Sequence, residues 1–342
     1  MRKSPLKLTP YILILFIGIA SGIFLTQNET AWSFIKKPFI ETYNKFDDTR
    51  KIKWDNDFKI IEIESGTDHT IQKAYFFKTR SEEAKSLIVS LHSWSGDYTQ
   101  NDSIANYSKE KDLNYIHPDF RGPNWTKNAC CSELVLNDID EAISYAIKNA
   151  NVDTNKIYVI GSSGGGYATL STFMKSKHKI KKFSAWVPIS DLVAWYNESK
   201  IIGNKYAGNI LDCTESKSGL DIKKAEERSP IYWNTPTEKL AGSKLAIYDG
   251  IYDGIQGSVP ITHSINFYNK ILRDLSVSDT SKYVSNAEKL KLLEFRKPLG
   301  EFGSIGGRKV FLRKEFENIS LILFEGNHEM LSGFAFNELI KE

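Results

Sequence analysis

The sequence predicts an α/β fold, with a mostly parallel central sheet, antiparallel strands at its N-terminal edge and helices on both faces. Three observations predict it. Continuous apolar runs such as SLIVSLHSW (Ser86–Trp94) and KIYVIG have the pattern of strands buried on both faces. They alternate with stretches such as ELVLNDIDEAISYAIKNA, whose Leu136, Ile139, Ala142, Ile143 and Ala146 form a helical stripe. Two segments of polar–apolar alternation, FKIIEIES and TIQKAYFFKT around GTDHT, come first and suit a hairpin. A hairpin followed by repeated strand–helix units builds a sheet that buries both faces.

The elements follow in order. NYIHPDF is the strand after Ser86–Trp94, and KIYVIG pairs with the helix GYATLSTFMKSK. KFSAWVPIS and SKLAIYDG are strands, the latter followed by the helical ITHSINFYNKILRDL. ISLILFEG is the last strand and EMLSGFAFNELIKE the last helix. Residues 197–239 carry weak strand signal and short helical pieces, which predicts a small lid. Residues 276–318 are a second excursion, with a hairpin expected around GGRKVFLRKEF. No internal repeat or low-complexity tract is present.

Composition bounds the function. The 342 residues are 41% hydrophobic and 25% charged, a globular composition long enough to bury roughly three quarters of the unfolded surface. Net charge is +3 without a long basic run, so nucleic acid is not an expected partner. The start of the chain is different. MRKSPLKLTP is basic, YILILFIGIASGIFL is apolar, and no charge occurs from Leu8 to Asn28. A secretory signal peptide has this layout, with Gly18 and Ala20 as small residues before a cleavage site. The uncharged run also has the roughly 20 residues a membrane span needs. The expectation is an anchor at 1–30, a polar connector at 31–55 and a catalytic domain at 56–342. The domain would lie outside the cytoplasm because Arg2, Lys3 and Lys7 favour the inner side. Of the three cysteines, Cys213 could pair with Cys130 or Cys131 in an oxidising compartment. No His or Cys falls at metal-ligand spacing near them, and no cofactor is expected.

The chemistry centres on YVIGSSGGGYATLSTF. A sharp strand-to-helix turn needs small residues on both sides of its apex, and G-x-S-x-G supplies them. Ser163 lies between Gly161 and Gly165, whereas Ser162 would need glycine where Ile160 stands. Ser163 is therefore the candidate nucleophile. The segment lacks the spacing of a phosphate-binding glycine loop. A serine hydroxyl needs a base. Of the histidines, His328 in LFEGNHEML follows the final strand, where the order nucleophile, acid, base places it. His69 and His178 are expected to be structural, and His263 a helix cap or surface residue. His92 is expected to brace its loop. The acid follows SKLAIYDG. Asp253 on the loop is preferred to Asp249 at the strand end, which becomes a turn residue. The oxyanion donors are the backbone N–H groups of Gly164 and of Trp94 in HSWSGDY, with Ser93 as the alternative to Trp94.

Taken in order, LIVSLHSWSGD, IHPDFRGPN, NDIDEAISYAI, YVIGSSGGGYATL, ERSPIYW, IYDGIYDGIQGSVPITHSINFYN and FEGNHEML resemble the catalytic domain of the prolyl oligopeptidase (S9) family of α/β-hydrolases. Acetyl xylan esterase-like enzymes look similar. The resemblance spans Ser86 to Glu342. It implies an α/β-hydrolase fold and a Ser163–Asp253–His328 triad working through an acyl-enzyme. The family's G-x-x-D-x-x-V-P is loosened here to Gly250, Asp253, Val259 and Pro260, and its H-G-x-G loop becomes His92, Ser93, Trp94, Ser95, Gly96. Peptidases of the family carry an N-terminal β-propeller, and the roughly 60 residues between anchor and catalytic domain are too few for one. An esterase or deacetylase acting on a small or carbohydrate ester is the leading expectation. A peptidase of short peptides is the alternative. A non-catalytic binding protein and an acyltransferase are the other readings. Trp125, Trp195 and Trp233 are expected in core or lid packing, or in the pocket wall.

Overall fold

The computed structural model describes residues 53–341. The apolar leader and the connector up to residue 52 lie outside them. Among the described residues, no helix is long and apolar enough to cross a membrane.

Ten strands form one sheet in the order β1-β2-β4-β3-β5-β6-β7-β10-β9-β8. These are β1 (Lys59–Glu64), β2 (Ile71–Phe77), β3 (Lys85–Leu91), β4 (Asn114–Pro118), β5 (Val152–Ser162), β6 (Lys182–Trp186), β7 (Lys244–Gly250), β8 (Ser304–Ile305), β9 (Arg308–Phe316) and β10 (Ile319–Phe324). β1 and β2 are the antiparallel hairpin the alternation predicts. β4, β3, β5, β6, β7 and β10 run parallel.

The central strands have period-two burial with both faces apolar. In β5, Ile157 and Val159 enter one core layer, and Tyr158 and Ile160 the other. α2 (Glu133–Asn149), α3 (Gly164–Lys175) and α8 (Thr262–Asp274) cover the first layer. α1 (Ser103–Glu110) and α10 (Ser332–Ile340) cover the second. Trp54 is buried in that second layer, stacked on Tyr75 with ring centroids 4.2 Å apart.

The two excursions turn out differently. Residues 276–318 contain α9 (Asn286–Phe295) and a β8–β9 hairpin. β9 then joins the main sheet antiparallel to β10, so the expected small hairpin is also a sheet edge. The lid begins before residue 197, because α4 (Leu192–Ile202) is one continuous helix capped by Asp191 and ended by Gly203 in the left-handed region. It continues through α5 (Tyr206–Cys213), α6 (Ile222–Glu227) and α7 (Thr237–Leu240). A disulfide joins Cys130 to Cys213, 83 residues apart, and leaves Cys131 as a buried thiol. Arg228 tightens the same junction, donating to the carbonyls of Ala129 (2.6 Å) and Lys127 (2.7 Å).

Candidate active site

Parallel strands bring their carboxyl ends to one edge of the sheet, and the loops after β3, β5, β7 and β10 converge there. Backbone hydrogen bonds stitch these loops together. Ser163 N–H donates to Trp186 O (2.9 Å), Val187 N–H to Tyr248 O (2.7 Å), and Tyr252 N–H to Gly326 O (3.0 Å).

Ser163 sits between β5 and α3 with φ 59° and ψ −119°. A non-glycine residue held there is strained, and only surrounding structure that over-determines it keeps it in place. The glycines supply that structure. A Cβ on Gly161 would land on the backbone of Gly165, and one on Gly165 on the carbonyl of Leu91. The elbow is therefore a three-way backbone contact between β5, α3 and the end of β3. Ser163 is buried but keeps 6% exposure.

Gly164 and Trp94 meet at this contact. A Cβ on Gly164 would collide with the backbone nitrogen of Trp94, which puts the two expected oxyanion donors side by side. The loop carrying Trp94 is held from behind. His92 offers its two ring nitrogens to Ser93 O (2.9 Å) and Asp119 O (2.7 Å), and its ring stacks on Phe120 at 3.8 Å. That is the bracing role the sequence suggests. Gln100 accepts from Ser93 N–H at 2.9 Å, so the Ser93 amide is engaged.

His328 Nδ1 lies 2.6 Å from Asp253 Oδ2, and both side chains are buried. Asp253 Oδ1 accepts backbone N–H groups from Gly254 (2.8 Å) and Val259 (3.1 Å). Three donors on one carboxylate fix its orientation. The longer spacing from Asp253 to Val259 and Pro260 is what wraps the loop around this carboxylate. Gly257 lies against both Asp253 Oδ1 and His328 Cβ, so no side chain fits there. The geometry supports a proton path in which His328 keeps Nδ1–H on Asp253 and turns Nε2 to its other side.

The remaining histidines differ from the expectation at one position. His69 is exposed in the hairpin and His178 bonds to α2, as structural residues do. His263 is neither cap nor surface residue. It is 2% exposed, accepts Ser190 N–H on Nδ1 (3.2 Å) and faces Glu198 through Nε2 (3.0 Å). The lid's first helix packs over the start of α8 and buries it.

The lid supplies Asn209, Lys205 and Tyr206, which the sequence gave no reason to select. Trp94 Nε1–H donates to Asn209 (3.2 Å), and Lys205 Nζ–H to Ser95 (3.0 Å). Trp94, Trp195 and Tyr206 form one aromatic wall, with Trp195 stacked on Tyr206 at 4.8 Å and edge-on to Trp94 at 4.7 Å. Trp195 also donates to Ser258 O on the acid loop (2.7 Å). Trp233 bonds within the lid to Glu227 O, and Trp125 is at the surface. Among the described residues, no cluster of His, Cys, Asp and Glu is placed to hold a metal ion.

The Prolyl oligopeptidase family matches residues 100–237, a stretch that contains the elbow. Over that stretch the chain is similar to the prolyl oligopeptidase family. A puromycin-hydrolyzing peptidase of Mycobacterium tuberculosis is 15% identical with TM-score 0.53, the match covering 82% of this chain and 37% of that one. An acylaminoacyl peptidase of Pyrococcus horikoshii is 15% identical with TM-score 0.54, covering 82% and 40%. At such identities the likeness is one of fold, that of the α/β-hydrolases. An uncharacterized protein, YfhR, of Salmonella typhi is 26% identical over 92 residues, 27% of this chain and 32% of that protein. The chain thus matches about a third of the length of these relatives.

Proposed function

We propose that this hydrolase cleaves a small acyl ester through a covalent intermediate on Ser163. His328 takes the Ser163 proton as the hydroxyl attacks the carbonyl carbon. Asp253 holds the imidazole and stabilises its charged form. The developing oxyanion is met by the N–H groups of Gly164 and Trp94. His328 returns the proton to the leaving alcohol, and water then releases the acid by the same steps in reverse. The observation that carries this reading is the His328–Asp253 bond of 2.6 Å, taken with the strained Ser163 elbow.

The ester reading is supported by the resemblance to acetyl xylan esterase-like enzymes, and the lid packs Trp195 and Tyr206 against Trp94 of the oxyanion loop. The peptide reading is favoured by the family match and by neighbours named as peptidases. Export, with anchoring through Tyr11–Leu25, completes the proposal and would place the site among cell-envelope or environmental acyl esters.

Ser163→Ala is expected to lower kcat on an acetyl aryl ester by roughly 10⁵-fold and to abolish labelling by a fluorophosphonate probe. A purified variant that still turns over or still labels refutes the assignment. Rates on acetylated glycans, aryl esters and dipeptide amides, compared side by side, separate the ester and peptide readings.

A further inference from the structure

A cavity of about 550 Å³ lies on the second face of the sheet, toward the amino ends of β6, β7 and β10. The proposed triad gathers at their carboxyl ends, so the two places are apart. The strand register explains the cavity. Pairing sets Ser184, Ala246, Ser320 and Glu315 in one row across β6, β7, β10 and β9. The next row toward the carboxyl ends is Trp186, Tyr248, Ile322 and Arg313. Side chains two residues apart share a face, and Trp186, Tyr248 and Ile322 belong to the second core layer. Three small side chains in register leave a hollow beside that bulky row. α10 adds Phe334 and Glu338 to the lining. The volume falls within the roughly 300–1,000 Å³ of small-molecule sites.

The polar groups of this cavity are not all used. Tyr248 is 5% exposed and stacks on Trp186 at 4.1 Å. It lines the cavity, and its hydroxyl has no hydrogen-bond partner among the described residues. Buried hydroxyls are ordinarily paired, so this one marks a place where a further group fits. Lys182 uses two of its three N–H donors on carbonyls at the end of α10, Glu338 O (2.6 Å) and Lys341 O (3.0 Å). Lys244 stands beside it in register and makes no ion pair among the described residues. The carboxylates around them are engaged elsewhere, Glu338 with Lys341 (3.2 Å) and Glu315 with Arg313 (3.1 Å). Glu317 is exposed in the turn between β9 and β10. Two adjacent ammonium groups at one end of the cavity are therefore left without a paired counter-charge. Burial, then the field of Lys244, pushes Lys182 down to about 8, a cost that a bound anion relieves.

We propose that this cavity is a second ligand site, separate from Ser163, which takes a small aryl carboxylate: the carboxylate at Lys182 and Lys244, the ring along Tyr248, Ile322 and Phe334. Charge and shape both select this class. The lysine pair asks for an anion, and the flat, apolar lining asks for a ring attached to it. The Tyr248 hydroxyl is a third polar contact. No covalent step takes place there.

The test is calorimetric titration of the full chain with 2-naphthoate, with 2-naphthamide and inorganic phosphate as controls. One equivalent of 2-naphthoate should bind, and the two controls at least about tenfold more weakly, because one lacks the charge and the other the ring. Lys244→Glu should weaken 2-naphthoate at least about tenfold, and Ala246→Leu, which fills the hollow, should abolish binding. Both variants should leave kcat on an aryl ester unchanged. Binding at Ser163, as a product acid would bind, is untouched by these two substitutions. The proposal is overturned by a wild type that does not bind, by equal affinity for either control, or by undiminished binding in either folded variant. A parallel loss of kcat would tie the ligand to Ser163 and remove the separate site. Lys244 is exposed, so its variant decides the case if Ala246→Leu does not fold. The titrations need no turnover, so they stand even if the Ser163 reading fails.

Discussion

The glycines of the elbow and those of the lid serve opposite purposes. At Gly161, Gly164 and Gly165 a Cβ would overlap backbone atoms of neighbouring elements. At Gly203, Gly208 and Gly219, in the lid, nothing lies within 4 Å of the same atom. The elbow is built from backbone packed on backbone, and it leaves no slack. The lid is a chain of short helices attached by a few strong points: one disulfide, Arg228, and the aromatic wall. The lesson is that rigidity at the nucleophile comes from missing side chains, whereas the lid is held by particular side chains.

The same kind of substitution should therefore give opposite results in the two regions. Gly164→Ala has the largest expected effect. The added methyl must push Trp94 away, so both oxyanion donors move, and kcat/KM on an aryl ester should fall at least about 10³-fold. Circular dichroism should show the fold retained, and near-normal activity would show that the elbow has slack after all.

The next effect belongs to the lid. Breaking the 83-residue Cys130–Cys213 closure with Cys213→Ala should cost about 2–4 kcal/mol by denaturant titration. Activity should fall less than in Gly164→Ala, because the elbow does not depend on this attachment. An equal loss of activity would mean that the aromatic wall is part of the rigid site.

A smaller effect lies behind the oxyanion loop. His117 is buried, donates from Nδ1 to Ser90 O (2.8 Å), and is lowered from 6.5 to about 4, chiefly by burial. Its folded-state value is below its unfolded one, so folding favours the neutral ring. The contribution is fully present above pH 6.5 and is lost as pH falls from 6.5 towards about 4. Thermal melts over that window should show the wild type losing stability more steeply than His117→Gln. Parallel curves would remove His117 from the acid response. The smallest effect is a gain: Gly208→Ala, in α5 with open space around it, should stabilise by about 0.5–1 kcal/mol and leave kcat unchanged.

The sequence exposed a good deal of this. The hairpin, the parallel run and each strand–helix unit were legible, because a strand buried on both faces and a helix with one apolar stripe leave different periods. Ser163 could be selected as the candidate nucleophile because glycines flank it, and His328 as the candidate base because chain order places it after the last strand. Asp253 was preferred to Asp249 by its loop position, and its carboxylate is the one that holds His328 Nδ1 at 2.6 Å. Other features were not legible. The identity of Cys213's partner could not be read from adjacent Cys130 and Cys131, since spacing is equal for both and only backbone direction differs. β9 looked like a satellite hairpin because a strand that pairs with the sheet edge has no local mark of it. His263 looked like a surface cap because the helix that buries it, α4, ends sixty residues earlier.

By itself, then, the sequence determined what depends on neighbours along the chain: the order of strands and helices, the glycine-lined elbow and the placement of the candidate nucleophile, acid and base after successive strands. Tertiary structure decided what depends on neighbours in space. It set the 2.6 Å contact of His328 with Asp253, the meeting of Gly164 with Trp94 and the lid's grip on the oxyanion loop. The reason is physical. Propensity and periodicity act over a few residues, whereas proton affinity and donor geometry are fixed by which groups, distant in sequence, share a space from which water is excluded.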